Sequence, residues 1–141
     1  MKVFVADDSS IIRERIIGML SVVRGIEITG QAQDAPEATD SIKRLKPDVV
    51  ILDIQMPGGS GIDVLQQIKR AEPAPIVMML TNHPYSPYRE KCLKAGAEFF
   101  FDKSTEFEKV REALGELIQR LDAPAIAAPK GLSPREESDA S

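Results

Sequence analysis

Val49-Val50-Ile51-Leu52-Asp53 is an unbroken apolar run that stops on a carboxylate. Apolar residues in succession, without polar alternation, read as a strand buried on both faces, the pattern of a central strand in a parallel sheet. Pro47 closes whatever helix precedes it, because the residue before a proline is pushed out of the helical region. On the far side, Met56-Pro57-Gly58-Gly59-Ser60-Gly61 breaks the chain into a loop before a helical pattern carrying Val64, Leu65 and Ile68.

The same strand-then-helix unit recurs on either side. Val3-Phe4-Val5-Ala6 precedes a helical stripe of Ile12, Ile16, Leu20 and Val23. Ile26, Ile28 and Gly30 alternate as a less buried strand should, and a helix through Ala38, Ile42 and Leu45 follows. Ile76-Val77-Met78-Met79-Leu80 is a fourth strand, before a helix around Tyr88 to Ala95 that Gly96 terminates. Phe99-Phe100-Phe101 is a fifth. A last helix places Val110, Leu114, Leu117, Ile118 and Leu121 at core spacing, and Thr105 with Glu108 predicts a capping box at its start. Alternation of this kind predicts an α/β fold with a five-stranded parallel sheet, doubly wound as a flavodoxin-like (βα)5 unit with strand order 2-1-3-4-5.

The 141 residues fit one compact domain, expected over 1–122. From Ala123 onward, Pro124, Pro129, Gly131 and Pro134 interrupt any regular element and few large apolar residues remain, so 123–141 is expected to be a flexible tail. No run approaches a membrane span, and Asp7 and Asp8 interrupt the N-terminal apolar stretch before it could serve as a secretory signal. These features predict a cytoplasmic chain. Its single cysteine, Cys92, falls in a helical stretch and reads as a small packed residue rather than a reactive one. The net charge of −4 supplies no basic field for nucleic acid, so DNA binding by this chain alone is not expected.

In an open α/β sheet of this order, ligands bind beyond the carboxyl ends of the strands, between strands 1 and 3. Asp7 and Asp8 follow strand 1, Asp53 ends strand 3, Thr81 ends strand 4 and Lys103 closes strand 5. Any one of them alone is most simply a turn or capping residue. Together they converge on one crevice, where three carboxylates repel unless a cation compensates them. Oxygen donors of this kind suit Mg²⁺, which keeps open positions that a phosphoryl oxygen can occupy. A nucleophile, a metal, an ammonium and a hydroxyl are the parts that phosphoryl transfer requires. Asp53, alone at the end of the most buried strand, is best placed as the nucleophile.

Asp7-Asp8, Asp53-Ile54-Gln55-Met56-Pro57 with Gly61, Thr81 and Lys103 resemble the bacterial response-regulator receiver pattern from Met1 to about Leu121. The resemblance implies that Asp53 accepts a phosphoryl group from a histidine kinase or a phosphotransfer protein. It implies that Asp8, Asp53 and the Gln55 carbonyl bind Mg²⁺ directly while Asp7 acts through water. It also implies that Lys103 pairs with the phosphoryl group, that Thr81 moves to hydrogen-bond it, and that Phe100 turns inward behind it as a switch. In the family such a switch regulates a partner or output domain, with homodimer formation on phosphorylation as one route. Within the tail, Leu132-Ser133-Pro134-Arg135-Glu136 resembles the opening of the helix-turn-helix domains that follow LuxR-type receivers. Three positions depart from or tune the pattern. Ser104 stands where many receivers have a proline after the lysine. Gln55 and His83 occupy the places that flank the phosphoryl group, although His83, between Asn82 and Pro84, also reads as a turn residue.

Other classes fit less well. A haloacid-dehalogenase-type phosphatase needs a second Asp two residues past the nucleophile, and that position is Gln55. A flavodoxin would have to bring a flavin phosphate against Asp7 and Asp8, which repel it. A pseudo-receiver used only for docking would not need the complete set of site residues.

Overall fold

The computed structural model describes residues 1–82 and 86–122. His83 and the stretch 123–141, with its Leu132 to Glu136 segment, lie outside the described residues. A division between Arg111 and Glu112 separates two units, and all that follows on the sheet and the site concerns Met1–Arg111.

Its strands are β1 (Lys2–Ala6), β2 (Glu27–Ala32), β3 (Val49–Leu52), β4 (Gln55–Met56), β5 (Gly59–Ser60), β6 (Ile76–Thr81) and β7 (Phe99–Asp102). The helices are α1 (Ser10–Ser21), α2 (Ala35–Leu45), α3 (Gly61–Ile68), α4 (Ser86–Lys94) and α5 (Lys109–Asp122), the last of which crosses the division. Five strands form one parallel sheet in the order β2-β1-β3-β6-β7. Counted along the main sheet alone this is 2-1-3-4-5, as the alternation predicts.

Val49 to Leu52 are all buried, as the unbroken run demands. One face of the sheet presents Phe4, Val50, Leu52, Val77, Met79 and Phe100 to a single apolar cluster. That cluster takes Ala38 and Ile42 from α2, Val64, Leu65 and Ile68 from α3, and Cys92 from α4. Helix α1 buries Ile16 and Leu20 outside this cluster, so helices occupy both faces. Each fully buried Leu or Ile here contributes about 1.5–3 kcal/mol.

Local chemistry sets the helix ends. Ser9, Asp34 and Ser60 cap α1, α2 and α3 by accepting from backbone N–H groups in the first turn. Lys46, at φ 51°, closes α2 just before Pro47.

Two details differ from the expectation. Helix α5 starts at Lys109, so Thr105 and Glu108 do not frame its first turn. Asp102 and Glu106 close a turn ahead of it instead. The Asp102 N–H donates to Glu106 Oε1 at 3.0 Å and the Glu106 N–H to the Asp102 carbonyl at 2.7 Å. The Asp102 carboxylate accepts from both the N–H and the hydroxyl of Ser104, which holds its pKa below the usual carboxylate range. The second difference is the loop after β3, which folds into a two-stranded hairpin pairing Gln55 with Ser60 and Met56 with Gly59. Pro57 and Gly58 (φ 80°) form its turn, since a positive φ at that corner favours glycine.

Candidate phosphotransfer site

Sheet register builds the site. Ala6 pairs with Leu52, Leu52 with Met79 and Met79 with Phe100, so these four residues form one row across the sheet. Asp7 and Asp53 lie one residue past that row, Thr81 two past it and Lys103 three past it. Lys103 therefore reaches back along the strand direction to meet the carboxylates.

Its ammonium Nζ lies 2.5 Å from Asp7 Oδ2 and 3.0 Å from Asp53 Oδ2. The three side chains are between 2% and 7% exposed. The other oxygens of the two buried carboxylates are also engaged. Asp7 Oδ1 accepts from the Ser9 N–H at 2.9 Å, and Asp53 Oδ1 from the Ile54 N–H at 2.7 Å. Burial pushes the Asp7 carboxyl above its usual range, against the lowering effect of its bond to Lys103. Burial alone would depress Lys103, but the bond to Asp7 and the charge of Asp53 outweigh it and raise its pKa.

Asp8 is exposed, and its carboxylate belongs to the one group of acidic side chains, Asp7, Asp8 and Asp53, with donor oxygens within 4.8 Å of one another. That count holds among the described residues. A cavity of about 220 Å³ opens beside them, lined by Asp8, Asp53, Gln55, Asn82 and Lys103 among others. Three carboxylates less one ammonium leave two negative charges in this cluster, matching a divalent cation. The donor set, all hard oxygen, fits Mg²⁺.

Thr81 is fully buried at the end of β6, and its carbonyl accepts from the Lys103 N–H at 2.9 Å. Gln55 is exposed on the cavity rim. Phe100 lies inward at 5% exposure, with the Arg89 guanidinium 5.7 Å over its ring, while Phe99 and Phe101 stack on each other at 5.7 Å. The peptide bond between Lys103 and Ser104 is trans. Gly61 is where close approach decides the residue: a Cβ there would sit 1.8 Å from the Asp53 carbonyl oxygen. Glycine is needed there for the backbone that carries Asp53.

Sequence reasoning passed over Arg13 and Gln31. Arg13 donates to the Asp7 carbonyl at 2.6 Å and to Gln31 Oε1 at 2.8 Å. Its place on the polar side of α1, six residues after Asp7, was the available signal.

A parallel sheet of this order, with acidic strand ends and a lysine converging on the crevice, defines a receiver-type phosphoacceptor. The chain belongs to the response regulator receiver domain family, which it matches over residues 3–115. Such domains are the phosphoacceptors of two-component systems, act with histidine kinases or phosphotransfer proteins, and bind Mg²⁺ at an acidic pocket. It is 46% identical over 125 residues to a protein-glutamate methylesterase/protein-glutamine glutaminase of Rhizobium etli, covering 88% of this chain and 35% of that protein. It is 31% identical over 129 residues to the response regulator GacA of Pseudomonas aeruginosa, covering 90% and 60%. Among solved structures, a LuxR-family response regulator from Aurantimonas sp. SI85-9A1 superposes with a TM-score of 0.77 at 26% identity, over 84% of this chain and 85% of that one. The chain thus spans 35% and 60% of the length of these two curated relatives. Among the described residues, no helix is long and apolar enough to cross a membrane.

Proposed function

We propose that Asp53 is the phosphoacceptor, that Mg²⁺ is held by Asp8, Asp53 and the Gln55 carbonyl with Asp7 acting through water, and that Lys103, Thr81 and Phe100 carry the response. The observation behind this reading is the shared ammonium. Lys103 Nζ touches both Asp7 and Asp53 and lines the cavity with Asp53, so a cation already stands where phosphoryl charge would develop.

An Asp53 carboxylate oxygen attacks the phosphorus of a phosphohistidine. A P–O bond forms, the P–N bond breaks, and the imidazole leaves with the electron pair and takes up a proton. Bound Mg²⁺ supplies charge neutralisation at the phosphoryl oxygens. Lys103 turns from the Asp53 carboxylate toward the new phosphoryl oxygens. Asp7 does not line the cavity that Asp8 and Asp53 line, which favours an indirect role at the metal. Thr81 hydrogen-bonds the phosphoryl group, and the adjacent strand β7 transmits the change through Phe100.

Residues 1–122 form the receiver in this reading. The chain works in the cytoplasm, takes its phosphoryl group from a histidine kinase or phosphotransfer protein, and does not itself bind DNA. Incubation with acetyl phosphate and Mg²⁺, read by intact mass, should add one phosphoryl group to the wild type and none to Asp53→Asn. An unchanged wild-type mass, or equal labelling of the variant, would overturn the assignment.

A further inference from the structure

We infer that Arg13 is a positioning residue for the divalent cation, because it fixes the peptide from which the Asp8 carboxylate projects; this rests on the metal reading above. Among the described residues, the Asp8 carboxylate has no hydrogen-bond partner, unlike those of Asp7 and Asp53. Its aim is therefore set by its own backbone, and both peptide planes flanking Asp8 are held. The plane before it carries the Asp7 carbonyl, which accepts from Arg13 NH1 at 2.6 Å. The plane after it carries the Ser9 N–H, which donates to Asp7 Oδ1 at 2.9 Å. Pinning two successive planes fixes φ and ψ of the residue between them, and with them the direction of its Cα–Cβ bond.

Arg13 is itself held in place. It sits in the second turn of α1, anchored by its N–H to the Ser9 carbonyl, and its Nε donates to Gln31 Oε1 at 2.8 Å. A planar guanidinium serves both acceptors at once. The Asp7 carbonyl lies ahead of the Ser9 cap, where no helical N–H is available to it, and the Arg13 guanidinium takes that place.

The sign of the effect separates positioning from charge. Removing a guanidinium near the site would, by Coulomb's law alone, tighten binding of a dication. Loss of positioning weakens it. The experiment is Mg²⁺ titration of the full chain, followed by amide chemical shifts, for wild type, Arg13→Ala, Arg13→Lys and Asp8→Ala. Arg13→Ala should raise the Kd roughly fivefold, about 1 kcal/mol at 1.4 kcal/mol per tenfold. Arg13→Lys, which keeps one donor for the Asp7 carbonyl, should recover to within about twofold of wild type on the same scale. Affinity in Arg13→Ala equal to or tighter than wild type, or no recovery in Arg13→Lys, would overturn the inference. If Arg13→Ala does not fold, Arg13→Met replaces it under the same criteria, since it keeps the stem and lacks the donors. An Asp8→Ala variant with wild-type affinity would instead overturn the metal assignment.

Discussion

Lys103, just past β7, and Asp7, just past β1, form a buried ion pair at 2.5 Å although two strands, β3 and β6, lie between theirs. The contact spans the carboxyl edge of the sheet and passes over the end of β3, where Asp53 accepts from the same ammonium. Replacing Lys103 by Met would leave two buried carboxylates without the cation they share. Breaking such a pair costs about 3 kcal/mol. Urea unfolding without metal should show a large fall in midpoint, and added Mg²⁺ should recover part of it. Equal midpoints for variant and wild type would contradict this.

Gly61 is expected to tolerate no side chain. Its Cβ would meet the Asp53 carbonyl carbon and oxygen and the Ile54 Cα, all backbone atoms that cannot swing aside. Gly61→Ala should cost about 3 kcal/mol or more by overpacking. It should also slow acetyl-phosphate labelling, because relief of the clash moves the Asp53 backbone. Thermal unfolding and labelling rate together check this, and a stable, fully active variant would refute it.

Cys92 is fully buried in the core cluster, and burial pushes its thiol up to about 11. At pH 8 about a thousandth of such a thiol would be ionised, against a fifth or so for an ordinary cysteine. A thiol reagent should label the native chain slowly and the urea-unfolded chain promptly. Rapid native labelling at that pH would show the site to be open.

A second network lies at the other end of the strands. Lys69 Nζ binds the Pro75 carbonyl at 2.6 Å and both Glu98 oxygens, and Glu98 Oε1 accepts from the Val77 N–H, tying α3 to the starts of β6 and β7. Lys69→Met should lower stability by about 1–2 kcal/mol. Labelling of Asp53 should be unchanged, because the network touches none of the site residues. A labelling defect at wild-type stability would reverse that separation.

Phe100 and Thr81 should report phosphorylation together. Addition of a phosphoryl mimic is expected to shift the amides of Thr81, Phe100 and Arg89, the last because its guanidinium lies over the Phe100 ring and donates to the Phe100 carbonyl at 3.4 Å. Shifts confined to Asp53 and its immediate neighbours would exclude transmission along β6 and β7.

What the amino-acid order determines here is whatever depends on period and on strand ends. The apolar run Val49 to Leu52 marks a doubly covered strand, its neighbours supply the alternation, and the carboxylates, threonine and lysine fall at strand ends by position alone. Local competition among short-range bonds is harder to read, which is why Asp102, Ser104 and Glu106 form a turn ahead of α5 where Thr105 and Glu108 read as a capping box, and why a two-residue-stranded hairpin reads as a loop. The contacts of Arg13 with Asp7 and Gln31, the burial that holds Lys103 between two aspartates, and the need for glycine at position 61 were decided by tertiary structure. Each depends on distances of a few ångströms between backbones brought together by parallel pairing, and such distances arise only once register and crossover have placed the strand ends side by side.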